Sequence, residues 1–330
     1  MMTKGARDLL FIVDPVSTLN PTHDTSVALM EAAQARGHRV AVTTMSELAL
    51  GHGAVRTRCR EIRLRATTPE SNGLEWFDTA VEQDRAVEDF DAVFIRTDPP
   101  VDADYLRATY VLDLVDARRV LLLNSPDGLR AANEKIFTLQ FPELCPPSTV
   151  TARREDIRSF LRVHGTAVLK PTDGMGGRGI LLLRRDDENL ESILEEATDR
   201  DHRHVIVQKY LSEVRDDGDR RVIVLDGMPL GSVRRRAGAG EFRCNMAVGG
   251  AAEADQITAR DREICERIAP RLRELGLIFV GIDVIGSYLT EVNVTSPTGL
   301  REIDAYSTGP GLGEQVIEWL ERTVAARGAR

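Results

Sequence analysis

Short apolar runs and amphipathic stretches alternate along the chain. Leu9–Asp14 (LLFIVD) reads as a buried strand, Ser26–Ala35 carries apolar residues at helical spacing and is stopped by Gly37, and Val40–Thr43 is apolar again. Strand, loop, helix, glycine, strand is the opening of a parallel α/β sheet. Such sheets take ligands at the carboxyl ends of their strands, which places the loop Pro15–Asp24 where a substrate can sit. Asp89–Arg96 (DFDAVFIR) and Val120–Asn124 read as further strands of the same sheet, with a helix over Tyr105–Ala117 between them. Pro99 and Pro100 end the strand before them and leave Arg96 and Asp98 at the same rim as Asp24. Glu47–Arg65 alternates in part and reads as a connection with short strands. Pro126–Leu129 reads as a turn and Ala131–Leu139 as a helix carrying Lys135.

The second half has another pattern. A helix over Asp156–His164 ends at Gly165 and precedes the strand Ala167–Lys170, a glycine-rich loop (Pro171–Gly179), and the strand Ile180–Leu183. A helix over Leu190–Thr198 and a strand over Val205–Leu211 come next, then a hairpin of Arg220–Leu225 with Met228–Val233 about Asp226-Gly227. Ala259–Leu275 is a long amphipathic helix stopped by Gly276, and Gly313–Ala326 is a C-terminal helix. Between them Phe279–Thr298 (FVGIDVIGSYLTEVNVTSPT) reads as two short strands about Gly286-Ser287.

Composition narrows the class. The chain has 330 residues, 42% hydrophobic and 29% charged, which suits a soluble protein of two or three domains. A net charge of −9 argues against a general nucleic-acid binder or an anionic-membrane binder. No apolar stretch nears the roughly 20 residues needed to span a bilayer, and the first apolar run ends in Asp-Pro, so no signal peptide is expected. Cys59, Cys145, Cys244 and Cys265 form no CxxC pair and read as reduced thiols of a cytoplasmic protein.

Three places carry chemistry. Asp283, Glu291 and Asn293 are oxygen-bearing side chains in otherwise apolar strand sequence, and buried carboxylates require a positive partner. Glu291 and Asn293, two apart, share a strand face. A two-residue turn at Gly286-Ser287 would pair Asp283 with Thr290 and turn Glu291 away, whereas a three-residue loop Gly286-Ser287-Tyr288 pairs Asp283 with Glu291. The three-residue loop is expected, because it gathers an all-oxygen ligand set for a hard cation such as Mg²⁺. From these residues alone, carboxylates paired with arginines, Arg301 among them, stand as an equal alternative. In the glycine-rich loop, bare backbone amides beside Lys170 suit a phosphate, although no Walker sequence is present. Arg234, Arg235, Arg236 and Arg243, beside Gly238 and Gly240, read as an anion trap on a lid that closes.

The chain resembles the ATP-grasp ligases, and within them the bacterial-type glutathione synthetases. The resemblance rests on DP-loop-DTS-A at Asp14–Ala28, R-x-DPP at Arg96–Pro100, NEK at Asn133–Lys135, LKPTDGMGG at Leu169–Gly177, DGDRR at Asp217–Arg221 and GLIFVGIDVIG…LTEVNVTSPTG…REI at Gly276–Ile303. It implies an α/β fold, α+β in part. The expected divisions are an N-terminal Rossmann-like substrate domain (1–130), an ATP-grasp lid subdomain (131–211), and a C-terminal catalytic domain (212–330) with a mobile loop at 234–250. It also implies that ATP is held by Lys135 and Lys170 under the loop Gly174, Met175, Gly176 and Gly177. The segment Gln208, Lys209, Tyr210 and Leu211 would offer backbone to adenine, and Asp219, Arg221, Arg243 and Asn245 would lie near the nucleotide. Asp283, Glu291 and Asn293 would hold two Mg²⁺ ions, with Mn²⁺ as a possible replacement. Arg235, Lys170 and Arg221 would serve catalysis. Asp24, Thr25, Ser26, Arg96, Asp98, Asn293, Ser296 and Thr298 would form the peptide pocket.

The implied reaction activates the carboxylate of γ-glutamylcysteine as an acyl phosphate, which glycine then displaces; relatives of this chemistry use other donors and amines. A cytoplasmic homo-oligomer, dimer or tetramer, with no nucleic-acid or membrane partner, is the implied setting. The chain departs from the family pattern in the lid, where Ala237-Gly238-Ala239-Gly240 replaces a proline and a Gly-Gly pair, and Ala251 stands where arginine is common.

Overall fold

A computed structural model describes residues 5–51, 53–65 and 76–328; residues 1–4 and 329–330, at the ends of the first and last expected domains, lie outside the described residues. Strands β1 (Asp8–Ile12), β2 (Arg39–Thr43), β7 (Ala92–Ile95) and β8 (Leu121–Leu123) form the parallel centre of the first sheet, in the order β2-β1-β7-β8. The stretch read as a connection extends that sheet with antiparallel β3 (Leu48–Gly51), β4 (Ala54–Leu64), β5 (Phe77–Thr79) and β6 (Gln83–Ala86). Helix α1 (Thr25–Ala35) starts where the Asp24 carboxylate accepts from the backbone N–H of Ser26 at 2.6 Å and Val27 at 3.2 Å. Helix α2 (Ala103–Leu112) is shorter than expected, and the residues read as a turn form the short helix α3 (Pro126–Ala131) with proline in its first turn. The expected helix over Ala131–Leu139 is absent: α3 ends at Ala131, a 3₁₀ turn occupies Phe137–Gln140, and Lys135 lies in the bend between them.

A four-stranded antiparallel sheet comes next, ordered β11 (Leu181–Arg184), β10 (Thr166–Pro171), β12 (Val205–Lys209), β9 (Ser148–Thr151). Helices α4 (Arg154–His164) and α5 (Leu190–Ala197) pack on it, and Ile157, Leu161, Leu169, Leu183, Leu194 and Val207 belong to a core of its own. After α6 (Glu213–Asp217) comes the third sheet, ordered β15 (Ala251–Ala254), β14 (Met228–Arg236), β13 (Asp219–Leu225), β16 (Phe279–Ile285), β17 (Tyr288–Asn293). Arg234, Arg235 and Arg236 close strand β14, so they belong to the sheet and not to the lid; the loop itself runs only from Ala237 to Gly250 and holds one 3₁₀ turn.

Helix α7 (Ala259–Glu274), α8 (Leu300–Tyr306) and α9 (Leu312–Gly328) complete the chain; β15 and α8 had no clear signal in the sequence. Thr258 and Asp261 cap α7 reciprocally. The third sheet shares its core with the first, Val280, Ile282, Leu289 and Val292 joining Leu10, Ile12 and Val93. Asn124, 3% exposed, fixes that junction: its amide donates to the carbonyls of Phe279 and Val294 and accepts from the backbone N–H of Ile278 and Phe279, all at 2.7–2.8 Å. Among the described residues no helix is long and apolar enough to cross a membrane.

Candidate active site

The hairpin β16–β17 pairs Asp283 directly with Glu291, but not by the expected loop. The turn is the two-residue Gly286-Ser287, with Ile285 opposite Tyr288 and Val284 opposite Leu289. The register then shifts, and Thr290 is the additional residue of a bulge that restores the Asp283–Glu291 pair. The Thr290 hydroxyl donates to the carbonyl of Asp283 at 3.1 Å. Asn293 stands next on the same face, its amide nitrogen 3.4 Å from Asp283 Oδ2. Two carboxylates and a carboxamide therefore share one face, side chains whose oxygens suit a hard divalent cation.

Asp283 is also paired with arginines, though not with Arg301, which binds Glu31 at 2.9 Å. Arg221 meets it at 2.5 and 3.0 Å and Arg235 at 3.0 Å. Burial opposes the charge on Asp283, but the two guanidinium groups outweigh it and hold the carboxyl well below the usual range. Arg235 also takes both oxygens of Asp219, at 2.6 and 2.8 Å. Burial pushes Asp219 upward against the pull of Arg235. Lys170 Nζ stands 3.9 Å from Glu291 Oε1, carried there by the antiparallel pairing of β10 with β12.

The glycine-rich loop joins β10 to β11, and Gly174, Gly176, Gly177 and Gly179 all have positive φ, the backbone form that bare glycine permits. The NEK motif ties three parts together. Asn133 donates to the carbonyl of Thr172 at 2.8 Å, Lys135 Nζ donates to the carbonyl of Gly174 at 2.6 Å, and Glu134 accepts from Val294 N, Thr295 N and Thr295 Oγ1 at 2.8–3.1 Å. Asn133 and Glu134 were not singled out from the sequence as site residues, although they stand in that motif. Arg243 donates to the carbonyl of Gly177 at 2.9 Å, so the loop after β14 touches the glycine-rich loop.

Two cavities meet here. The larger, about 520 Å³, is lined by Lys135, Gly174–Gly177, Arg221, Arg235, Glu291 and Asn293 on one side and by Asp24, Asp98, Ser296 and Thr298 on the other. The smaller, about 70 Å³, is lined by Lys170, the Gln208–Leu211 segment, Asp219, Arg243 and Asp283. Glu291 and Asn245 line both. Thr25, Ser26 and Arg96 do not line either cavity; they are 0–3% exposed and act from behind. Arg96 donates to Ser26 Oγ at 3.1 Å and to the carbonyl of Pro297 at 3.0 Å, fixing the wall that carries Ser296 and Thr298. His23 and Glu302, joined at 3.1 Å, stand at the same cavity; His23 lies in the loop Pro15–Asp24 expected at the substrate and Glu302 in the REI motif, although neither stands among the expected site residues.

The model of the prokaryotic glutathione synthetase N-terminal domain matches residues 8–130, and that of the prokaryotic glutathione synthetase ATP-grasp domain matches residues 134–308. A glutathione synthetase of Thermosynechococcus vestitus is 51% identical over 317 residues, 95% of this chain and 99% of its own. One of Pseudomonas putida is 40% identical, covering 96% of this chain and 98% of its own. Among solved structures, the D-cycloserine synthetase DcsG superposes with a TM-score of 0.66 at 17% identity over 96% of this chain and 99% of its own, a likeness of fold alone. The ATP-grasp ligase PsnB gives 0.62 at 18% identity, over 98% and 99%. With both domain models matched in order and such relatives aligned end to end, the chain belongs to the prokaryotic glutathione synthetase family.

Proposed function

We propose that this chain is an ATP-dependent ligase that activates the cysteinyl carboxylate of γ-glutamylcysteine and joins it to glycine, giving glutathione, ADP and phosphate. Family membership supports the reaction class. The observation that supports placing the reaction in this cavity is Glu291, which lines both the smaller cleft, walled by Gln208–Leu211 and Lys170, and the larger cavity. Adenine would lie against Gln208–Leu211, with the phosphates running past Lys170 and Lys135 beneath Gly174–Gly177. Asp283, Glu291 and Asn293 would hold two Mg²⁺ ions, or Mn²⁺ in their place, which when bound neutralise phosphate charge.

The donor carboxylate attacks the γ-phosphorus, ADP leaves, and the amine of glycine then displaces phosphate from the acyl phosphate. Such a transfer calls for positioning and charge stabilisation more than for a side-chain nucleophile. Lys170, Arg221 and Arg235 supply fixed positive charge where negative charge develops. The contact of Arg243 with Gly177 supports a closed roof that keeps water from the acyl phosphate. Asp24, Asp98, Ser296 and Thr298 line the far side of the cavity and would orient the peptide, with Thr25, Ser26 and Arg96 bracing that wall.

A phosphate-release assay over a matrix of acyl donors and amine acceptors tests this. Release well above either substrate alone is expected for γ-glutamylcysteine with glycine. No excess for that pair, or a larger one for another amine, overturns the assignment, and the alanine at position 251 makes the acceptor axis the more informative. We also read the enzyme as a cytoplasmic homo-oligomer; the four free buried thiols support the compartment, and sedimentation measures the assembly.

A further inference from the structure

Asp219, Arg235, Asp283 and Arg221 form an unbroken chain of ion pairs across three neighbouring strands. Register dictates it: Asp219 on β13 is opposite Arg235 on β14, and Arg221, two residues on, is opposite Asp283 on β16. Asp219 gives both oxygens to Arg235, Arg235 reaches across to Asp283, Asp283 takes Arg221, and Arg221 ends on the carbonyl of Thr298 at 2.9 Å. All four side chains are buried, and their formal charges cancel.

One member of this chain has a second claimant. A cation held by Asp283, as proposed above, must compete with both arginines for the same two oxygens. A buried arginine stripped of its only carboxylate is costly, because the remaining charge has neither water nor partner. Arg221, whose one carboxylate partner among the described residues is Asp283, bears that cost and is left with the Thr298 carbonyl when Asp283 is taken. Arg235 keeps Asp219.

We propose that Asp219 is a positioning residue: it holds the Arg235 guanidinium when Asp283 turns to a divalent cation, and so lets the cation bind without leaving Arg235 unpaired. Asp219 touches neither cation nor transferred phosphoryl group in this scheme. Its effect reaches the cation only through Arg235. Removing its charge leaves Arg235 with Asp283 as its sole carboxylate, and the two groups then hold each other against the cation.

This inference rests on the cation reading under Proposed function, and one titration separates the two. Mn²⁺ binding to the full-length protein is tracked by electron paramagnetic resonance with ADP at saturation, since ADP lacks the γ-phosphate on which Arg235 could find another partner. Asp219→Asn is expected to weaken Mn²⁺ binding about tenfold, and Asp219→Glu to recover most of it. In an Arg235→Met background, Asp219→Asn is expected to change Mn²⁺ binding little. An equal loss in both backgrounds means that Asp219 acts as a distant charge, and no loss in either means that it is only structural; each result overturns the proposal. If Asp219→Asn does not fold, Asp219→Ser is run through the same cycle. Glu291→Ala is the control: if it leaves Mn²⁺ binding intact, the cation reading itself falls and takes this inference with it.

Discussion

Asp283 and Glu291 stand directly opposite one another although the turn between their strands holds only two residues, and Thr290 is what makes this so. Strand side chains alternate between faces, so one residue more or less reverses every side chain beyond it. The bulge absorbs that one residue. Deleting Thr290 should therefore bring Glu291 directly after Leu289, still opposite Asp283, with only the bulge and the Thr290 hydroxyl bond lost. We expect turnover to persist within about tenfold of the parent, with a similar circular-dichroism spectrum. Abolished turnover in a folded deletion would mean that the bulge itself, and not the register alone, aims Glu291.

Glu291 makes a narrower test of the same face. It is only partly buried, and the nearest ionic partner among the described residues is Lys170 at 3.9 Å, so its removal leaves no deeply buried charge unpaired. Glu291→Ala should lower kcat by at least about a hundredfold, with a melting temperature near the parent value. Ordinary turnover would remove the cation assignment.

Much of this site was legible because its parts are short and local. Glycine permits positive φ, so Gly174–Gly179 announced a close backbone approach before any strand was placed. The parallel order around β1 came from apolar runs separated by one helix and its glycine stop. What escaped was set between elements. Nothing in YLTEV marks Thr290 as the bulged residue, because a bulge is fixed by which hydrogen bonds the partner strand offers. Arg234-Arg235-Arg236 next to glycines looks like a loop, yet Asp219 and Asp283 on two other strands neutralise Arg235 and let the strand continue through it. Asn124 and Glu134 pass as ordinary polar residues until their backbone partners, more than 150 positions away, are in view.

Arg235 tests whether charge is stabilised in the ground state or only as the reaction proceeds. Its guanidinium is already satisfied by two carboxylates, so it gains little from a resting nucleotide and more from the charge that develops during transfer. Arg235→Ala should lower kcat by about a hundredfold and leave the KM for ATP nearly unchanged. A rise in KM alone would make Arg235 a simple binding residue.

Gly177 lies where the two loops meet. It has φ +78°, and a Cβ added there would come within 2.7 Å of Asn245 Oδ1 and 3.5 Å of Arg243 Cδ. Gly177→Ala thus combines backbone strain with displacement of the roof, both local to the cavity. We expect the KM for ATP to rise about tenfold with the melting temperature little altered. A variant with ordinary KM would show that the Arg243–Gly177 contact is dispensable for holding nucleotide.

The pH dependence of stability should carry a mark from His38, far from the cavity. Its ring is buried, Nδ1 accepts from Arg7 N–H at 3.2 Å, and Nε2 must then carry the proton it donates to Glu321 on α9 at 3.0 Å. Burial pushes the imidazole pKa below its ordinary 6.5; Glu321 opposes this, and Arg36 and Arg7 reinforce it. The fold therefore holds His38 neutral, while the unfolded chain takes up a proton near pH 6.5. Where the unfolded state binds more protons, stability rises with pH. The contribution is complete above the unfolded value and is lost as pH falls toward the folded one. His38→Gln keeps a donor and an acceptor but does not titrate, so its melting temperature should fall less steeply than the parent's between about pH 7 and 5. Parallel curves would show that the buried pair joining the α1–β2 turn to α9 plays no part in acid sensitivity.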